Sequence, residues 1–360
     1  MNLFRNVIAF CAGIIALVLA VPMFLLALPF WLVSLFTRVI GRLLQPQFLT
    51  RNQLIEFDRD FGWKSRPNLD THHLMGDLFH IKTDADGFRG QAALDRSDIV
   101  VFGDSFAAGY GVGERHLFAN LSVSPKIKPV GTGGYSMVQE YLWMQKLQGR
   151  LNSKLVVWFI YYGNDLYDNL MPDLRGYRKP FLRESETADG WEIVSSHVSA
   201  DKWPIVTEGR MHGENHLPKL GELCGDTFIA KRAYPACEYL LRAGKQLCDE
   251  AGATLAVLGI PDVLQLSPEG QQSLRTMGGD PGEFDSGKPD RCLDAICSGL
   301  GIRFVAGMSF LDVSCYKTND CHWNEKGHRE IFRTLSALLK EPRQRSVIAR
   351  TDFADALVRA

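Results

Sequence analysis

The sequence predicts a doubly wound α/β domain built on a parallel sheet, with a membrane helix ahead of it. Three observations carry this reading. Short, continuously apolar runs recur along the chain and end in Gly, Asp or Asn. Helical patterns fall between them. A charge-free run extends from Asn6 to Phe36. Continuous apolar strands bounded by turns suit a sheet covered on both faces, and their alternation with helices argues for βαβ units.

In chain order, residues 1–45 form the expected membrane anchor. From Asn6 to Phe36 no side chain is charged. A membrane span needs about 20 apolar residues, whereas a signal peptide has an apolar core of about 7–15. Pro22 and Pro29 break the run, so it reads either as one span to about Pro29 followed by an interfacial helix, or as a tight hairpin. Arg5 precedes it; Arg38, Arg42 and Arg51 follow, and this bias would put the far end in the cytoplasm. Residues 46–98 are an N-terminal extension. Its stretches FDRDFGWKSRPNLD and LFHIKTDADGFRG are punctuated by turn residues and read as irregular, partly extended chain.

The main domain is placed over residues 99–342. Its strands are DIVVFGD (Asp98–Asp104), KIKPVGTG (Lys126–Gly133), LVVWFIYYG (Leu155–Gly163), TLAVLGIP (Thr254–Pro261) and IRFVAG (Ile302–Gly307). Helical patterns cover Val138–Leu151, Ala230–Ala251 and Glu325–Leu339. Residues 171–223, rich in Pro, Gly, Arg, Trp and acidic residues, interrupt the rhythm and read as an insertion or lid, because they follow a strand end where sites cluster. Residues 343–360 are a tail.

Composition narrows the function. Hydrophobic residues are 46% and charged residues 22%, which excludes a largely disordered chain. Lys+Arg is 40 against Asp+Glu 41, with no basic stripe, so no nucleic-acid partner is expected. Of the 8 Cys, Cys11 lies in the apolar run. Cys292/Cys297 and Cys315/Cys321 are spaced for local bridges, while scattered buried thiols are the simpler reading. No CxxC pair occurs, and Cys321, His322 and His328 lack a second well-spaced ligand pair, so no metal is expected.

Ligands in open α/β sheets bind beyond the C-terminal strand ends. There the sequence places Ser105 after Gly103-Asp104, Gly131, Gly133 and Gly134 in GTGGYS, Asn164 in Gly163-Asn164-Asp165, and His322 in Asn319-Asp320-Cys321-His322. A Ser hydroxyl becomes a nucleophile when a base takes its proton, and His is the usual base. A carboxylate such as Asp320 orients the imidazole. Backbone N–H groups at Ser105 and Gly134 and the Asn164 amide are the candidate oxyanion donors. Asp104 and Asp165 abut the site and are given no catalytic step. His328 is expected to pack at the start of the last helix.

The blocks GDSFAAG, GTGGY, GND and D-x-H, in this order, resemble the SGNH (GDSL) hydrolase superfamily over about residues 99–340. The resemblance implies a flavodoxin-like three-layer α/β/α fold and a serine esterase, lipase or acyltransferase without a cofactor. It implies Ser105 as nucleophile, His322 as base, and Ser105, Gly134 and Asn164 as the oxyanion hole. The commonest family pattern has Asp three residues before His, where Asn319 stands here; Asp320 fits the D-x-H spacing of relatives of the alginate-acetylation type. Phe57–Gly90 resembles an extension in bacterial members linked to envelope polysaccharide tailoring. The implied substrate is an acylated, notably O-acetylated, glycan or lipid ester. The alternatives are an O-acyltransferase within a polysaccharide-modification machinery or an idle scaffold. The implied location is the bacterial inner membrane with an extracytoplasmic catalytic domain.

Overall fold

The computed structural model describes residues 28–29, 54–75, 77–174, 177–186, 190–194, 216–277, 284–318 and 320–340. The expected anchor over residues 1–45 and the tail over 343–360 lie outside the described residues, save for Leu28 and Pro29, which are helical. Among the described residues no helix is long and apolar enough to cross a membrane. Residues 49–360 form one compact unit.

The extension opens this unit. Where irregular chain is expected over residues 53–98, the structure holds two antiparallel hairpins: β1 (Ile55–Asp58) with β2 (Gly62–Ser65), and β3 (Asp70–Met75) with β4 (Asp77–Lys82). Their turn-rich composition reflects tight hairpin connections between very short strands.

The central sheet follows. Its strands are β5 (Ile99–Gly103), β6 (Ile127–Gly131) and β7 (Leu155–Tyr161), with β12 (Thr254–Ile260) and β13 (Arg303–Ala306) later in the chain. All neighbours pair in parallel, in the order β13-β12-β7-β5-β6. Counted along the chain this is the 2-1-3-4-5 flavodoxin-like order. After β5 the chain runs outward to β6, then returns past β5 to β7, so the switch point lies between β5 and β7.

Between β7 and β12 lie the pairs β8 (Asp173–Leu174) with β9 (Tyr177–Arg178) and β10 (Phe181–Glu184) with β11 (Trp191–Val194). These belong to the insertion expected over 171–223. The helices are α1 (Met137–Leu147), the single turn α2 (Asp165–Asp168), α3 (His216–Cys224), α4 (Ala230–Glu250), α5 (Pro268–Met277), α6 (Lys288–Leu300) and α7 (Glu325–Lys340). Just before α7, β14 (Tyr316–Lys317) pairs antiparallel with β15 (Asp320–Trp323).

The apolar strand runs are explained by two cores. Val100, Phe102, Val156, Trp158 and Ile160 point to the face covered by α1, α4 and α6. Ile99, Val101, Val157 and Phe159 point to the face covered by Phe118 and by Ile331 and Leu335 of α7. Burying each such side chain fully contributes about 1.5–3 kcal/mol, and alternation along each strand supplies both layers. The seven described cysteines are free thiols, so the local bridges at Cys292/Cys297 and Cys315/Cys321 do not form. Cys292 and Cys297 both lie in α6, where the helix fixes their separation.

Arg89 joins the extension to the sheet rim. Its guanidinium is buried and donates to the carbonyls of Gly109 (2.6 Å) and Val112 (2.9 Å) and to Glu114 (2.8 Å). Arg89→Leu leaves those carbonyls unpaired. We expect it to lower unfolding free energy by about 3 kcal/mol in urea titrations, the lower end for a broken buried pair because Glu114 keeps some solvent contact. A loss under about 0.5 kcal/mol, the range of ordinary surface substitutions, would show that these bonds do not brace the rim.

Candidate active site

The site grows from the ends of β5, β6 and β7. Past Gly103 the chain turns sharply. Asp104 Oδ1 accepts the Phe106 N–H (2.8 Å), the Ala108 N–H bonds Asp104 O (3.0 Å) and the Tyr110 N–H bonds Ser105 O (3.0 Å). The structure has hydrogen-bonded turns here and no regular helix, because Gly109 takes φ 70° and reverses the coil. Ser105 is held by these turns rather than by a helix N-terminus.

His322 arrives on β15. In an extended strand residues i and i+2 face the same side, so Asp320 and His322 project together. Asp320 Oδ1 lies 2.5 Å from His322 Nδ1 and also accepts the His322 backbone N–H at 3.1 Å. His322 Nε2 lies 2.8 Å from Ser105 Oγ. The D-x-H spacing thus delivers a carboxylate to the imidazole through strand geometry, where a D-x-x-H spacing would need a turn. Phe106 and Tyr110 flank the imidazole at ring-centroid distances of 5.1 Å and 6.0 Å. Ser105 Oγ also approaches Asp104 Oδ2 at 3.3 Å, a longer contact than that to His322.

The oxyanion residues meet at the same rim. Gly134 takes φ 76°, a backbone conformation that favours glycine. Among the described residues neither the Ser105 N–H nor the Gly134 N–H has a hydrogen-bond partner. Ser105 is buried and Gly134 half-buried, and N–H groups left free in this way are suited to receive negative charge. Asn164 donates through Nδ2 to Tyr135 O (3.1 Å), which ties the end of β7 to the glycine loop. The Asn164 and Ser105 side chains both hydrogen-bond Asp104, which places them around one group.

Electrostatics separates the histidines. Burial works against the His322 imidazolium, but Cys321 and Asp320 beside it favour the charged form, and His322 is pushed up to about 10. His328 goes the other way: burial, then the Arg89 charge, hold it well below the usual histidine range. Its Nδ1 accepts the Phe118 N–H (3.3 Å) and its ring stacks on Phe118 at 5.7 Å, in keeping with the packing role expected of it. Behind the site Asp104, Glu140 and Asp165 are buried carboxyls, each pushed up by burial. Asp104 and Asp165 also hold backbone N–H groups, of Phe106 and Tyr161 (2.7 Å), so they shape the turns that carry Ser105 and Asn164.

Asp320, Cys321 and His322 bring one potential ligand atom each within 4.8 Å of one another. Both imidazole nitrogens are already engaged with Asp320 and Ser105, so a metal there would compete with the triad. Sequence reasoning missed the internal cations Arg89 and Lys179 near the site. Arg89 braces the loop after Ser105. Lys179, pushed down to about 8 by burial, bonds Ser136 Oγ (3.1 Å) and Asp168 O (2.5 Å) beneath the glycine loop. In sequence both look like surface residues; the turn-flanked DGFRG around Arg89 was the only available signal.

Strand order defines a flavodoxin-like α/β fold, and its rim joins Asp320, His322 and Ser105 in one hydrogen-bonded chain. No family model and no curated protein matches the chain. Similar solved structures include a carbohydrate acetylesterase family member from Sinorhizobium meliloti, 12% identical, covering 68% of this chain and 97% of that one, with a TM-score of 0.38. A GDSL-like lipase from Bacteroides thetaiotaomicron is 10% identical over 70% of this chain and 92% of its own, with a TM-score of 0.36. A member of the lipolytic G-D-S-L family from Veillonella parvula is 11% identical over 67% and 95%, with a TM-score of 0.35.

Only a neutral imidazole takes the Ser105 proton. Fluorophosphonate labelling of Ser105 is therefore expected to rise with pH through an inflection above the ordinary histidine value of about 6.5. Asp320→Asn removes a negative neighbour that favours the imidazolium. Its inflection should move to lower pH while the plateau rate falls. An inflection unmoved or raised in that variant would show that Asp320 does not act on His322.

Proposed function

We propose that the protein is a serine-dependent ester hydrolase that removes acyl groups, notably O-acetyl, from a glycan or lipid. The observation that carries this is the unbroken hydrogen-bond chain from Asp320 through His322 to Ser105. In the proposed reaction His322 Nε2 takes the Ser105 proton as Oγ attacks the acyl carbonyl. The oxyanion forms against the N–H groups of Ser105 and Gly134, while the Asn164 amide, bonded to Tyr135 O and Asp104, holds the rim around them. The imidazolium, stabilised by Asp320, then protonates the departing alcohol oxygen. Water, deprotonated by His322, attacks the acyl-enzyme; the bond from Ser105 Oγ to the acyl carbon breaks, the imidazolium returns its proton to Oγ, and the carboxylic acid leaves.

The charge-free run over residues 6–36 supports tethering of this unit to a membrane, and the resemblance to envelope-tailoring relatives supports an extracytoplasmic site. The full chain is then expected to sediment with membranes after alkaline washing. Recovery wholly in the soluble fraction would refute the tether.

For the chemistry, Ser105→Ala and His322→Ala should each lower kcat/KM for p-nitrophenyl acetate by about 10⁴ or more, and the double variant should be little worse than either single one. His328→Ala should keep most of the activity. A folded Ser105→Ala protein with unchanged turnover would reject the nucleophile. Product analysis with an acetylated glycan, with and without a second glycan as acceptor, separates hydrolysis from acyl transfer: free acetate in both favours the hydrolase, and acetylated acceptor favours the transferase.

A further inference from the structure

The Gly133 carbonyl and the Gly134 N–H belong to one peptide unit. That unit is trans, so the two groups point in opposite directions. Whatever fixes the carbonyl therefore aims the N–H. Trp63 of β2, almost fully buried, donates its indole Nε1–H to Gly133 O at 3.0 Å. The Gly134 N–H leaves the opposite side of the same peptide. Without such a tether, two adjacent glycines would let the plane rotate at little cost.

Trp63 is itself well held. Its carbonyl accepts the Tyr135 hydroxyl (2.7 Å), and its ring packs against Tyr135 at 6.0 Å and Tyr177 at 6.1 Å. Its neighbours two residues away tie the same hairpin down: Phe61 O accepts from Gln139 Nε2 of α1 (2.8 Å), and Ser65 Oγ meets Thr132 Oγ1 (3.1 Å) just ahead of the two glycines.

We propose that Trp63 is a positioning residue for the oxyanion hole: its indole N–H, bonded to the Gly133 carbonyl, orients and polarises the peptide that supplies the Gly134 donor. A hydrogen bond to a carbonyl also strengthens the donor at the other end of the peptide. The extension is then part of the catalytic apparatus although it contributes no reacting atom. This inference rests on the ester-hydrolase reading.

The test uses the full chain with p-nitrophenyl acetate. Trp63→Phe keeps an aromatic ring and removes the donor. It should lower kcat about tenfold, less than the 10²–10³ for deleting an oxyanion donor outright. KM and the pH inflection of Ser105 labelling should stay as in the parent protein. Ser65→Ala, which loosens the same loop without touching the peptide, should retain near-parental kcat. If Trp63→Phe fails to fold, benzothienylalanine at position 63 replaces the N–H with sulfur at nearly constant shape and should give the same selective loss of kcat. Parental kcat in the donor-less proteins, an equal loss in Ser65→Ala, or a rise in KM alone would each overturn the inference and leave the hydrolase reading standing. Absence of both turnover and Ser105 labelling in the parent protein would overturn the hydrolase reading and this inference together.

Discussion

Side-by-side pairing of β5 and β7, with both faces removed from water, is the constraint on which the site depends. Ile99 through Phe102 and Val156 through Ile160 are wholly buried. Their side chains alternate into two separate cores, so a slip of one residue in either strand would move every apolar group to the wrong layer. The register Ile99↔Leu155 to Phe102↔Trp158 is thereby strongly specified. It fixes the relative positions of the two strand ends from which Ser105 and Asn164 emerge. The glycine loop after β6 and the β14–β15 hairpin then close on these two points.

The polar interior follows from the same crowding. The turns that hold Ser105 and Asn164 use carboxylates, Asp104 and Asp165, because a short acceptor satisfies backbone N–H groups at a strand end where no further ladder partner exists. Placing several such carboxyls with Glu140 in one buried region raises them all by burial and, for Glu140 and Asp165, by mutual repulsion. Glu140 is held by the Trp158 indole at 2.6 Å, while Asp168 is paired with Lys219 at 2.7 Å. Burial thus favours the neutral form of these acids, Asp168 has Lys219 as its partner, and His322 has a carboxylate of its own in Asp320.

Much of this was legible in the sequence, for identifiable reasons. The long sheet strands announce themselves because they are buried on both faces, and Ser105, Gly134 and Asn164 stand just beyond apolar runs. Asp320 and His322 were legible as a pair, and their placement on one strand face explains why the shorter spacing works. The extension was not legible. β1 is half-buried throughout, and two- to six-residue strands carry too few alternations to reveal a period. Helices α5 and α6 were also missed; the polar runs PEGQQSLRTM and KPDRCLDAICSGL bury only narrow stripes, Leu274 in one and Leu293, Ile296 and Cys297 in the other. Arg89 and Lys179 were missed because nothing in a lone cation marks the carbonyls that will surround it once the chain has folded.

The hydrogen bond between Ser105 and His322 joins residues 217 positions apart. A ribosome makes the chain from the N-terminus, so the sheet strands β5, β6, β7 and β12 can emerge and pair well before β15 exists. During that interval the Ser105 hydroxyl has its turn but not its partner His322. The hydrogen-bonded chain from Asp320 through His322 to Ser105 is therefore missing from every partly synthesised chain and from any fragment that ends before residue 322. It closes only with the β14–β15 hairpin, once the surrounding sheet is available to shield it.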